Sequence, residues 1–166
     1  MSITHLLSFF LLSGLCLLVH AKEPLANAKL NTPTLAHNIG SQNGIIISHG
    51  RVRASIPHAA NTVAFLTIQN TSNQAKQLTG ITCTTVAARC ELHQHVHTGD
   101  NMRMEKVERL TLHPHKSIVF IPGGYHVMLL DLTATLAVGQ TADLVFTFSD
   151  GSNYHAHLPV TSVLEE

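Results

Sequence analysis

The sequence predicts an all-β domain, an antiparallel sandwich or Greek-key barrel. Two observations carry that prediction. Short runs of β-branched and apolar residues follow one another from Gly44 onward, broken by Gly, Pro, Asn and Asp, at a spacing that suits roughly seven to nine strands. Meanwhile no long stretch shows the apolar stripe of a helix, with its period of about 3.6 residues. The length of 166 residues suits one domain with a real core and leaves too little for two ordinary ones.

The elements follow in chain order. Residues 1–21, MSITHLLSFFLLSGLCLLVHA, are an apolar run ending in Val19-His20-Ala21. Small residues at the third and first positions before Lys22 suit export cleavage after Ala21. The apolar core, residues 6–19, is shorter than the ~20 residues a membrane-spanning helix needs, so no membrane insertion is expected after cleavage. A lipid-attachment signal would place a small residue before Cys16, where Leu15 stands. Residues 22–43 are rich in Asn, Pro and small side chains without periodicity and read as a flexible lead-in. The folded domain is expected over 44–166.

Within it, GIIISHG (44–50), NTVAFLTIQN (61–70), QLTGITC (77–83), KSIVFI (116–121), YHVMLLDL (125–132) and ADLVFTF (142–148) read as strands. The last alternates cleanly, with Leu144, Phe146 and Phe148 on one face, then turns at Asp150-Gly151 into NYHAHLPV (153–160). Cleavage after Ala21 leaves Cys83 and Cys90 as the only cysteines, flanking TTVAAR at what reads as a hairpin end. In an oxidising compartment a cross-strand disulfide is favoured there over a thiol metal site, provided the Cα atoms approach within about 7 Å.

Apolar residues make up 45% of the chain, charged ones 12%, and the formal net charge is zero. Nucleic acid and anionic membrane surfaces call for a basic excess, so neither is expected as a partner. Histidine is the outlier, at 13 residues, and imidazole is the commonest side-chain metal ligand.

Three strand-like segments gather the groups that carry chemistry. ELHQHVH holds His93, His95 and His97 on one face by the two-residue period, NMRM holds Met102 and Met104, and YHVM holds His126 and Met128 opposite Tyr125, Val127 and Leu129. Thioether sulfur is soft and never protonated, so a site containing it selects Cu(I) over Zn, Mg or Ca, and neutral imidazole tolerates copper in either oxidation state. Thiolates would hold Cu(I) harder but are lost to disulfides after export. Taken singly, Met104 reads as a core filler and His126 as a surface or hydrogen-bonded residue; their joint spacing is what suggests a site.

Ten residues separate His93 from Met104, twenty-one separate Met104 from His126, and one separates His126 from Met128. This spacing, with ELHQHVHTGDNMRMEKVE and PGGYHVMLL around it, resembles the H-x10-M-x21-H-x-M pattern of the PCuAC family of periplasmic copper chaperones. The resemblance runs from SHGRVRAS to LPVTS. It implies a cupredoxin-like barrel in the periplasm that binds one Cu(I) through His93, Met104, His126 and Met128. It further implies delivery to the dinuclear copper centre of a respiratory oxidase, alone or beside a second chaperone that reduces the acceptor's thiols. Members of that family often carry methionine where His95 and His97 stand, so these two read either as auxiliary ligands able to hold Cu(II) or as solvent-facing neighbours.

Other readings stay open. HVH in an exported β protein echoes copper-zinc superoxide dismutases, but no histidine-bearing, glycine-rich zinc loop accompanies it. A blue-copper carrier needs a cysteine close to its His and Met ligands, and both cysteines lie at least 36 residues before His126. A scavenger of zinc, nickel or copper using histidines alone is a third. His113 and His115, around Pro114, and His155 and His157 near the C-terminus read as exposed. No motif for covalent or acid–base catalysis is present, so the chain is not read as an enzyme.

Overall fold

In the computed structural model the described residues are 40–162 and 164, apart from 84 and 100. Their regular elements are strands: β1 (Gly40–Gln42), β2 (Ile45–Arg53), β3 (Thr62–Asn70), β4 (Lys76–Thr82), β5 (Ala87–Thr98), β6 (Asn101–Lys106), β7 (Leu110–Leu112), β8 (Ser117–Val119), β9 (Tyr125–Leu132), β10 (Thr141–Phe148) and β11 (Asn153–Thr161). The expected export segment, 1–21, and most of the expected lead-in lie outside the described residues. Residues 40–42 form β1 and pair with β2, so the sheet begins inside the segment expected to lead into the domain. Besides β1, the sequence reading had no strand at β7; three residues are too few to show an alternation.

The ladder order is β6-β5-β9-β3-β2-β11-β10-β4-β7, with β1 added on β2 and β8 on β3. All pairings are antiparallel except β11 with β2. The fold is all-β and cupredoxin-like, as expected. Strands with one buried face alternate along their length, most plainly β10, where Ala142, Leu144, Phe146 and Phe148 are buried and the residues between them are not. Phe120, Phe146 and Phe148 are the largest side chains fully inside, each worth roughly 1.5–3 kcal/mol of burial. The buried Asn70 is fully paired: its Nδ2 donates to the Gln74 and Leu112 carbonyls at 2.7 and 3.0 Å, and its Oδ1 accepts from Ser72.

Two details place the site. The β2–β3 register slips between Ser48 and Arg51, where His49 has φ +53° and where a Cβ on Gly50 would stand 2.3 Å from a methyl of Leu158. The bulge sets Arg51 and Arg53 over the Phe65 ring, at 5.1 and 5.8 Å from its centroid. The second detail is the disulfide. Cys83 and Cys90 are joined, with Cα atoms 5.8 Å apart. It is not the hairpin bridge expected, because β4 and β5 are not neighbours in the ladder. Cys83 follows β4 and Cys90 lies on β5, so the bond laces together two distant positions of one curled sheet.

Candidate metal centre

β5 and β9 pair antiparallel with His93 directly opposite His126 and Glu91 opposite Met128. β5 and β6 pair with His95 opposite Met104 and His97 opposite Met102. Directly opposed residues share a sheet face, so His93, His95, Met104, His126 and Met128 stand together on the side away from Val127 and Leu129, which point into the core. The expected four residues are thus brought together, and His95 joins them. The ring centroids of His95 and His126 lie 5.0 Å apart, and those of His93 and His126 5.9 Å.

A cavity of about 290 Å³ opens here, lined by His95, Met104, His126 and Met128 and walled by Val63, Phe65, Arg53, Pro122 and Gly123. His93 stands just outside that lining. His97 is exposed and faces Met102, itself 59% exposed, at the far end of the β5–β6 hairpin; the structure does not bring it in. His155 and His157 lie on β11, where His157 is hydrogen-bonded to Asp143. His115 pairs with Asn73 at 2.7 Å, and it and His113 are exposed. A larger groove, about 340 Å³, runs between β4 and β5 and has no histidine or methionine in its lining.

The hydrogen bonds fix which ring nitrogens carry protons. His126 Nδ1 faces the Gly124 carbonyl at 3.0 Å; a carbonyl only accepts, so Nδ1 donates and Nε2 keeps its lone pair. His93 Nε2 faces the Glu91 carboxylate at 3.0 Å and donates to it, leaving Nδ1 with the lone pair. Buried ring nitrogens without a partner are His93 Nδ1, His95 Nδ1 and His126 Nε2, all on this one face. A backbone or carboxylate acceptor on the far nitrogen is the usual support of a metal-binding imidazole. His126 is 2% exposed. Burial lowers its pKa from the ordinary histidine value, the Gly124 bond opposes this, and His95 and His93 add to the lowering; the ring is held neutral, the form that binds metals. The hydrogen bond from His93 lowers the Glu91 carboxyl, against the effect of burial.

The turn before β9 follows from its sequence. Gly124 N–H donates to the Ile121 carbonyl at 3.0 Å, and Gly123 has φ +77°. Pro at the second position and Gly in the left-handed third position are the type II pattern. The Gly124 carbonyl also accepts from the His95 backbone N–H at 3.3 Å, so one turn steadies both β5 and His126. Sequence reasoning assigned these glycines to a turn but missed Glu91, although the two-residue period puts it on the His93 face. Among the described residues no three histidine, cysteine, aspartate or glutamate side chains already surround one point; thioethers and small ring rotations are needed to complete a shell.

Residues 45–160 match the family described as "Putative lipoprotein LpqE-like", well over half of the chain. The chain belongs to the LpqE-like family. A relative of this LpqE-like chain, "Putative lipoprotein Lxx21020" of Leifsonia xyli subsp. xyli, is 30% identical over 138 residues, covering 82% of the chain and 81% of the relative. Among solved structures, the copper-bound PCuAC domain from PmoF2 superposes with a TM-score of 0.62 at 19% identity, over 74% of this chain and 97% of that one. The solution structure of Cu(I)-DR1885 from Deinococcus radiodurans gives 0.57 at 28% identity, over 68% and 74%. The resemblance to PCuAC proteins drawn from residue spacing is upheld, and the LpqE-like chain shares their fold.

Proposed function

We propose that this protein is an exported copper carrier, not an enzyme, that binds Cu(I) through His93, Met104, His126 and Met128 and passes it to the copper-accepting domain of a respiratory oxidase. The observation that carries the reading is the convergence of partnerless, buried imidazole nitrogens and two thioethers on one sheet face. Soft sulfur beside neutral nitrogen selects Cu(I). Similarity to the copper-bound PCuAC domain from PmoF2 and to Cu(I)-DR1885 supports the same ion. The disulfide removes both cysteines of the folded domain from the donor set, so the site is thiolate-free and should yield copper to an acceptor that has thiolates.

An extracytoplasmic, periplasmic location is supported by the apolar segment 1–21 and by a relative that bears the word lipoprotein in its name. Partner proteins are read from the family resemblance: the oxidase domain, and a second chaperone that reduces that domain's thiols.

The test begins by loading the chain with Cu(I) without oxygen and recording its X-ray absorption. One equivalent with mixed nitrogen and sulfur scattering is expected, followed by transfer when the metal-free, reduced oxidase domain is added. A shell of nitrogen and oxygen alone overturns the site. Copper that stays on the carrier at equilibrium overturns the donor role.

A further inference from the structure

We propose that His95 is a direct copper ligand of this site, forming with His93 and His126 a three-imidazole set that accepts Cu(II), while His97 takes no part. The inference rests on the copper reading above and extends it from the four spaced residues to a fifth. Four observations carry it. His95 lines the cavity with Met104, His126 and Met128, whereas His93 does not. It stands directly opposite Met104 across the β5–β6 ladder. Its ring is nearer His126, at 5.0 Å, than is that of His93, at 5.9 Å. Its Nδ1 is buried without a hydrogen-bond partner, a state that costs free energy unless something occupies the lone pair.

Among the described residues the three rings do not yet surround one point, but their separations fit a shared ion after small ring rotations. Two imidazoles bound to one ion at nitrogen distances of about 2.0–2.1 Å place their centroids roughly 5–6 Å apart, depending on the angle between them. Both measured pairs fall in that range. His97 has none of these features: it is two residues further along the hairpin, exposed, and opposite the exposed Met102.

The donor set is divided by chemistry as well as by place. Met104 and Met128 are soft donors suited to Cu(I), and three nitrogens suit Cu(II). The chain would hold copper in whichever oxidation state it arrives, without moving a strand. Glu91 steadies His93 from outside the cavity, so His95 is the imidazole of β5 that lines the cavity itself.

The test is to load the full chain with one equivalent of Cu(II) and count coupled imidazoles by pulsed electron paramagnetic resonance, beside competition titrations with Cu(I) and Cu(II). Wild type is expected to show three imidazoles. His95→Ala should show two, with Cu(II) affinity down at least tenfold and Cu(I) affinity down less. His97→Ala should match wild type in every reading. His95→Gln, which keeps a polar side chain on the strand, should behave as His95→Ala, and circular dichroism confirms that each variant is folded. Three imidazoles persisting in His95→Ala, or equal losses in the His95 and His97 variants, overturn the proposal. Failure of wild type to bind Cu(I) with sulfur scattering overturns the copper reading instead, whatever the Cu(II) spectra show.

Discussion

Removing the Cys83–Cys90 bond separates what holds this fold from what holds its ligand. A sequence separation of 7 closes a loop of about eight residues. Cross-linking so short a loop restricts the unfolded chain by roughly 8 cal/mol/K, or about 2.5 kcal/mol at 25 °C. About 120 ordered residues unfold with an entropy near 250 cal/mol/K, so that loss lowers Tm by about 10 °C. Cys83 is 2% exposed and Cys90 half-buried, and Cys83→Ala/Cys90→Ala also removes both sulfur atoms from their packing, a cost of about 1 kcal/mol or more. Reducing the wild-type bond leaves those atoms in place and isolates the loop effect. Calorimetry should therefore show the reduced wild type melting about 10 °C lower and the double variant lower still. Below its melting range the double variant should bind Cu(I) with the wild-type stoichiometry and an affinity within about threefold, because the proposed donors are nitrogen and thioether. A Tm shift below about 2 °C would refute the loop-closure reasoning. Loss of Cu(I) affinity in folded double variant would refute the separation of staple from site.

Two further outcomes are expected. Glu91→Gln replaces the acceptor that orients His93 at 3.0 Å, and should weaken Cu(I) binding by about tenfold, the low end for loss of a supporting partner; a competition titration indistinguishable from wild type would show that Glu91 does not orient the ring. Asp150 forms an ion pair with Lys76 and accepts from Ser152, and these hold its carboxyl well below its ordinary pKa. A lowered folded-state pKa stabilises above the unfolded value, near 3.9, and that stabilisation is lost as pH falls through the folded value. Asp150→Asn should therefore cost under about 1 kcal/mol at neutral pH, discounted for solvent screening, and the difference from wild type should shrink as melts are taken below about pH 4. A constant difference down to pH 2 would contradict the assignment.

The site was legible in part because strands obey a period of two. His93, His95 and His97 must share a face once β5 is a strand, and the same rule ties His126 to Met128. Spacing could not say how β5 registers against β6 and β9. That register puts His95 opposite Met104 and His93 opposite His126, and it splits His95 from His97, which a shared face alone would treat alike. The disulfide shows the same limit. Its residues were identified, but a short spacing suggests a hairpin, and only the curl of the whole sheet shows that β4 and β5 are separate in the ladder. Taken alone, His126 reads as a surface or hydrogen-bonded residue; it does face away from the core, and it is hydrogen-bonded to Gly124. Its burial comes from β5 imidazoles and the Ile121–Gly124 turn, which are tertiary neighbours that no local pattern reveals.

The unequal support of the proposed donors bears on how copper would leave. β9 is paired on both sides, with β5 and β3; Met128 lies in both ladders, and His126 lies in the β5 ladder directly beside the first β3 pair, at Val127. His126 is further fixed through Nδ1 by Gly124. β6 is the edge of the sheet, paired only with β5, and Met104 upon it is 47% exposed. Edge strands open locally at far lower cost than central ones. An approaching ligand would therefore meet Met104 first and replace it while His126 and Met128 still hold the ion. Ligand exchange of that order needs no free copper and no unfolding of the barrel, which is what a carrier requires and what a storage protein would avoid. His95, opposite Met104 on the inner side of the same hairpin, would be the last group on that side to let go.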